Sequence, residues 1–228
     1  MSGTRDAVRN TRAERRRRRR GIALFIGLLA SSTVVWQASH ATFSATTSNG
    51  SNTLGAGTVT ITDDHVASVL FTAPALAPGD SGSACIGVEY TGSLTPTAIK
   101  LYFTGALESN AGGGYVAWAN DATSEADDNL SLQIQVNDTD LAADPGFNNC
   151  NPASMGSYVN VAGVAPGSNL GALINSNTNY SNGLLSQWGT IAANKWRVFK
   201  FTYTFSASAP NGAQNDGVKF NIVWEAQR

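Results

Sequence analysis

FKFTYTFSASAPNGAQNDGVKFNIVW, residues 199–224, contains two runs of two-residue alternation. Phe199, Phe201, Tyr203 and Phe205 alternate with Lys200, Thr202 and Thr204, and Val218, Phe220, Ile222 and Trp224 alternate with Lys219, Asn221 and Val223. Successive side chains of a strand point to opposite faces, so each run predicts a strand with an aromatic face in the core. APNGAQNDG between them carries Asn-Gly and Asp-Gly turn chemistry, which predicts that the two strands form a hairpin.

The same alternation recurs upstream. Leu130, Leu132, Ile134 and Val136 share one face against Ser131, Gln133 and Gln135. Ala84, Ile86, Val88 and Tyr90 alternate with Cys85, Gly87 and Glu89; after the turn-like TGSLTP, Ile99, Leu101 and Phe103 alternate with Lys100 and Tyr102. These two runs predict neighbouring strands of one antiparallel sheet. Leu54 to Thr62, LGAGTVTIT, places Val59 and Ile61 on one side of a further strand, and Val66 to Phe71 reads as another short one. Pro74, Pro78, Gly79 and Gly82 mark a loop, as do residues 112–114 and 120–129, with the tetrapeptide YVAW between them too short to assign.

Asn, Asp, Gly and Pro dominate residues 137–182, too long a span for a structureless loop in a compact domain. Short elements are expected there, around Tyr158 to Val164, with a helical turn near Leu184 to Trp188. About eight strands with one apolar face each imply an all-β fold, a single-domain two-sheet sandwich of jelly-roll type. A chain of 228 residues suits one such domain.

Charge is segregated along the chain. Arg5, Arg9, Arg12 and Arg15 to Arg20 precede an apolar core, GIALFIGLLASSTVVW, and then QASHA. The order is that of a secretory signal peptide at residues 1–41: a basic n-region 1–20, an apolar core 21–36 and a cleavage region 37–41. Small residues Ser39 and Ala41 stand at −3 and −1, which predicts cleavage before Thr42. The apolar core is shorter than the roughly 20 residues a spanning helix needs, so a signal-peptide helix is expected, with membrane contact only before cleavage. Beyond Ala41, six Lys or Arg face fourteen Asp or Glu, a net charge near −8. Nucleic acid and anionic lipid both require positive charge and are not expected partners.

Cys85 and Cys150 both lie in the exported part, where thiols oxidise, and are expected to form a disulfide. In the chain-entropy model a closed loop of about 66 residues is worth about 4 kcal/mol. His65 is the one histidine past the cleavage point, and H-E-x-x-H, zinc-spaced Cys/His clusters and G-x-S-x-G are all missing from the sequence. No catalytic residue, no resident cofactor and no enzymatic activity are expected. Asp63, Asp64 and His65, and separately Asp121, Glu125, Asp127 and Asp128, are the clusters with metal-ligating chemistry. Calcium is the candidate cation for the second, which lacks the spacing of an EF-hand loop. Asn49, Asn129, Asn137 and Asn179 open sequon-like triplets of a kind that a chain rich in Asn, Ser and Thr produces by chance.

Three stretches together resemble the TasA/camelysin family of secreted bacterial matrix proteins. SHATFSATTSNGSNTLGAGTVTIT, residues 39–62, is similar to that family's A-x-F-x-D, spacer and A-G-T pattern, with Ala41, Phe43, Ala56, Gly57 and Thr58 in matching places. Leu76-Ala77-Pro78-Gly79-Asp80, followed by Gly92-Ser93-Leu94, resembles the L-x-P-G-D and G-S-L unit. GVKFNIVWEAQ, residues 217–227, resembles the closing strand. Leu54 stands where the family has Phe, Ser44 or Ala45 where an acidic residue is common, and the cysteine pair is not a family hallmark.

This resemblance implies processing by a SipW-type signal peptidase and self-association into extracellular or biofilm fibres. It also implies an exchangeable N-terminal segment, 42–53, that completes the sheet of a neighbouring subunit, with Thr42, Phe43, Ser44 and Ala45 as the assembly residues and 54–228 as the jelly-roll-like domain. Strand addition to an open sheet edge is a physically sound route to such fibres. The alternatives are a cell-surface adhesion or carbohydrate-binding sandwich, using Trp118, Trp188 or Trp196 as stacking platforms, and a camelysin-like peptidase working through His65.

Overall fold

A computed structural model describes residues 44–47, 59, 61–64, 70, 73, 76–110, 112–119, 125–213 and 215–228. The signal segment with Ser39 and Ala41, the residues Thr42, Phe43, His65 and Asp121, and the expected strands at 54–58 and 66–69 lie outside the described residues.

The strands are β1 (Ser44–Thr47), β2 (Ile61–Asp63), β3 (Ser81–Tyr90), β4 (Ala98–Ser109), β5 (Val116–Ala117), β6 (Leu130–Asn137), β7 (Tyr158–Asn160), β8 (Leu184–Leu185), β9 (Lys195–Phe205) and β10 (Gly217–Gln227). Among the described residues, two short helices, α1 (Ala126–Asn129) and α2 (Leu170–Ser176), and a 3-10 turn at Asn211–Ala213 accompany the strands. One antiparallel sheet has the order β1-β10-β4-β5, with β8 also paired to β4; the other has the order β2-β3-β9-β6-β7. Ile99, Leu101, Phe103, Trp224 and Ala226 from the first sheet pack in one cluster with Ile86, Val88, Ile134, Phe199 and Phe201 from the second. The fold is therefore an all-β sandwich of two antiparallel sheets, each contributing its alternating apolar face.

The expected hairpin is not formed. β9 bonds to β3 and β6, whereas β10 bonds to β1 and β4, so the connection 206–216 crosses from one sheet to the other. A hairpin would set the two aromatic faces side by side; the crossing sets them against each other, and both Phe199 and Phe201 meet Trp224 edge-on. Turn chemistry in the connection goes instead into the 3-10 turn, whose Ala213 is buried, and into Asn215, whose φ of 61° is left-handed.

The β3 and β4 runs likewise belong to different sheets rather than one. TGSLTP carries the chain across the sandwich, with Leu94 packed on the core and its carbonyl accepting the Tyr90 hydroxyl. Alternation within each run is as expected: Ile86, Val88 and Tyr90, and Ile99, Leu101 and Phe103, all face the core. Gly105 adds an extra residue to β4, because Lys219 pairs with Leu107 while Asn221 pairs with Thr104. Its φ of 59° suits the bulge, and an added Cβ would stand 2.8 Å from Asn221 Nδ2.

Leu184–Leu185 is a strand on β4 rather than the expected helical turn. The helix of this region is α2, where Asn169 Oδ1 accepts from Ala172 N at 2.8 Å and Leu170, Leu173 and Ile174 form the buried i, i+3, i+4 face. Residues 120–129, expected as loop, include α1, which is tied to α2 by Asn169 Nδ2 donating to the carbonyls of Asp127 and Asp128.

Candidate functional site

The closing strand β10 lies between β4 and β1, and its last residues form the seam that receives the N-terminal segment. Ser44 pairs with Gln227, Ala45 with Ala226, Thr46 with Glu225 and Thr47 with Trp224, antiparallel. Of the expected assembly residues, Ser44 and Ala45 thus lie on β1, an edge strand of the first sheet.

The two faces of the seam differ in chemistry. Trp224 and Ala226 point into the core. Glu225 alternates to the opposite face, yet only 7% of its surface is exposed. Its Oε2 accepts from the Tyr102 hydroxyl at 2.7 Å and its Oε1 from Gln227 Nε2 at 2.6 Å. Burial pushes the Tyr102 phenol well above its ordinary value, helped by the hydrogen bond to Glu225 and by that carboxylate's charge, so Tyr102 stays a donor.

Lys100 is the β4 partner of Glu225 in the register, but its ammonium is engaged elsewhere. It donates to the carbonyls of Tyr180 at 3.0 Å and Ser181 at 3.4 Å and lies 4.9 Å from the Tyr180 ring centre. Burial, then the negative charge of Glu225, raise the Tyr180 phenol, which donates to the Ala98 carbonyl. No local chemical motif marks Tyr102 or Glu225 in the sequence. The available signal was Tyr102 on the polar side of the β4 alternation and a lone carboxylate in an otherwise apolar strand end.

Cys85 and Cys150 are bridged, with S–S 2.07 Å and Cα–Cα 5.3 Å. The bridge pins residues 138–158 over the outer face of the second sheet, where Cys85, Leu141, Met155 and Val198 form a second apolar cluster flanked by Tyr158 and Trp196. Arg197 anchors the same cover, donating to Asp140 at 2.8 Å and to the carbonyls of Asn137 and Trp188.

Among the described residues, no group of three or more His, Cys, Asp or Glu is positioned to hold a metal ion. Asp64 Oδ2 and the Pro145 ring both crowd the space beside Gly87, and both Asp64 carboxylate oxygens are buried. Burial, with the charges of Asp144 and Asp63, pushes it up to about 6. Asp127 is pushed up to about 6 by burial and then by Asp128, Glu125 and Glu108.

Of the three tryptophans considered as sugar platforms, Trp188 is buried between the sheets against Phe199. Trp118 is half-buried and donates its ring N–H to Asn175 at 2.9 Å, and Trp196 is half-buried beside the disulfide. No family model matches the chain, and comparison with characterised proteins finds no match.

Proposed function

We propose that this chain is a secreted, non-enzymatic structural subunit of extracellular-matrix or biofilm fibres. In this reading the sandwich is of jelly-roll type, a SipW-type signal peptidase frees the N-terminus at Thr42, and subunits join by donor-strand addition. One observation carries it: Ser44–Thr47, just behind the expected cleavage point, is an edge strand whose partner is the closing strand β10. The same backbone bonds form whether the strand comes from the same chain or from a second copy. Exchange therefore conserves the ladder and is governed by protein concentration against the effective concentration set by the tether.

Composition supports the reading. Residues 42–53, TFSATTSNGSNT, contain no charged side chain, so moving them between sheets desolvates no side-chain charge. A disulfide suits an extracellular setting. Before cleavage the basic and apolar regions precede this strand, which ties assembly to export.

Protein beginning at Thr42 is expected to form fibres visible by electron microscopy, and a variant lacking Thr42 to Ser51 to remain monomeric in sedimentation. Equal assembly of both would overturn strand exchange. N-terminal sequencing of the secreted protein is expected to start at Thr42.

A further inference from the structure

The seam contains a buried negative charge held by neutral groups. Both oxygens of Glu225 are occupied, one by the Tyr102 phenol and one by the Gln227 amide, and neither donor is a cation. Lys100, its β4 neighbour, directs its ammonium to the carbonyls of Tyr180 and Ser181. On the β1 side, position 46 is the cross-strand neighbour of Glu225, and Thr occupies it.

Directly opposed residues of an antiparallel pair have Cβ atoms about 5 Å apart, where like charges destabilise and opposite charges stabilise. The burial of Glu225 strengthens both effects, because less water screens its charge. The N-terminal segment matches this requirement, since residues 42–53 contain no Asp or Glu.

We propose that Glu225 is the specificity-determining residue of the seam: beside β10 it admits the neutral strand of a second copy of this chain, or a basic one, and rejects a strand with a carboxylate at position 46. In assembly this rests on the strand-exchange reading above. Within one chain it does not, because β1 already pairs with β10 there.

The test places Thr46→Asp, Thr46→Asn and Thr46→Lys in protein starting at Thr42, each with Glu225 intact and with Glu225→Gln. With Glu225 intact, Thr46→Asp is expected to lower the monomer's Tm by about 3 °C relative to Thr46→Asn and to raise the concentration needed for fibres about fivefold. Thr46→Lys is expected to shift both the opposite way. In Glu225→Gln the Asp and Asn variants are expected to coincide. If Glu225→Gln does not fold, the isosteric Asp and Asn pair in the intact background still isolates the charge, and equal Tm values there would overturn the proposal. Equal penalties of Thr46→Asp in both backgrounds would overturn it as well. Fibre formation with no dependence on Glu225 leaves strand exchange standing without this gate. A Glu225-dependent Tm in protein that never forms fibres leaves the gate standing without strand exchange.

Discussion

The Phe199 ring meets the Trp224 indole edge-on, centroids 5.5 Å apart and planes at 63°, across the gap between the two sheets. Trp224 receives Phe201 in the same way at 6.1 Å, so one indole closes the core against two rings of β9. Such edge-to-face pairs add to the stabilisation from burial alone.

Phe199→Ala and Trp224→Ala are each expected to destabilise the domain by about 3–5 kcal/mol, since each removes a large buried ring and leaves a cavity that closes only in part. A double-mutant cycle by urea unfolding is expected to give a coupling of about 1 kcal/mol between them. Additive single effects would show that the two rings are not energetically coupled.

Faces were legible in the sequence and partners were not, for a physical reason visible at this pair. Alternation reports which side of a strand is dry; it does not report whether the next strand lies beside it or across from it. The 199–205 and 218–224 runs satisfy both arrangements, and only the crossing stacks Phe199 on Trp224. The same ambiguity separated β3 from β4. α2 was missed because its seven residues are short against the usual helical window, although Asn169 before Leu170, Leu173 and Ile174 is a cap followed by a helical stripe. β1 has no alternating pattern of its own. The Tyr102 and Glu225 pair joins positions 123 residues apart, beyond the reach of any local pattern.

Replacing Cys85 and Cys150 together with Ser is expected to cost about 2–4 kcal/mol, read as a Tm lower by roughly 10 °C. Cys85 is fully buried, so a reductant is expected to act slowly on the folded protein and much faster at denaturant concentrations that open the 138–158 cover. An unchanged Tm after complete reduction would show that the cover holds through Arg197 and the apolar cluster alone.

Gly105→Ala is expected to destabilise by about 1–2 kcal/mol, because the left-handed backbone at this bulge disfavours any Cβ. The new methyl carbon would also press on Asn221 Nδ2 at 2.8 Å. Asn221→Ala in the Gly105→Ala background removes the clash and leaves the backbone strain, so chemical denaturation of the single and double variants separates the two contributions.

Stability is expected to rise as pH falls from 7 towards 5. Asp64 and Asp127 both lie at about 6 in the folded protein against 3.8 for an unperturbed carboxylate, with burial the leading cause. The folded state therefore binds these protons more tightly than the unfolded chain, and the stabilisation is fully present below about 3.8 and lost as pH rises through about 6. Asp138 acts in the opposite sense: its carboxylate is held below the ordinary value by the Ser157 N–H and the Thr139 hydroxyl, so its contribution is lost only as pH falls below the normal carboxylate range. Between pH 5 and 7 the two raised carboxylates dominate. Urea midpoints measured across that interval are expected to climb towards acid in the unaltered protein and to flatten in Asp64→Asn combined with Asp127→Asn. A midpoint that falls from pH 7 to pH 5, or a slope that persists in the double variant, would show that other groups control the titration.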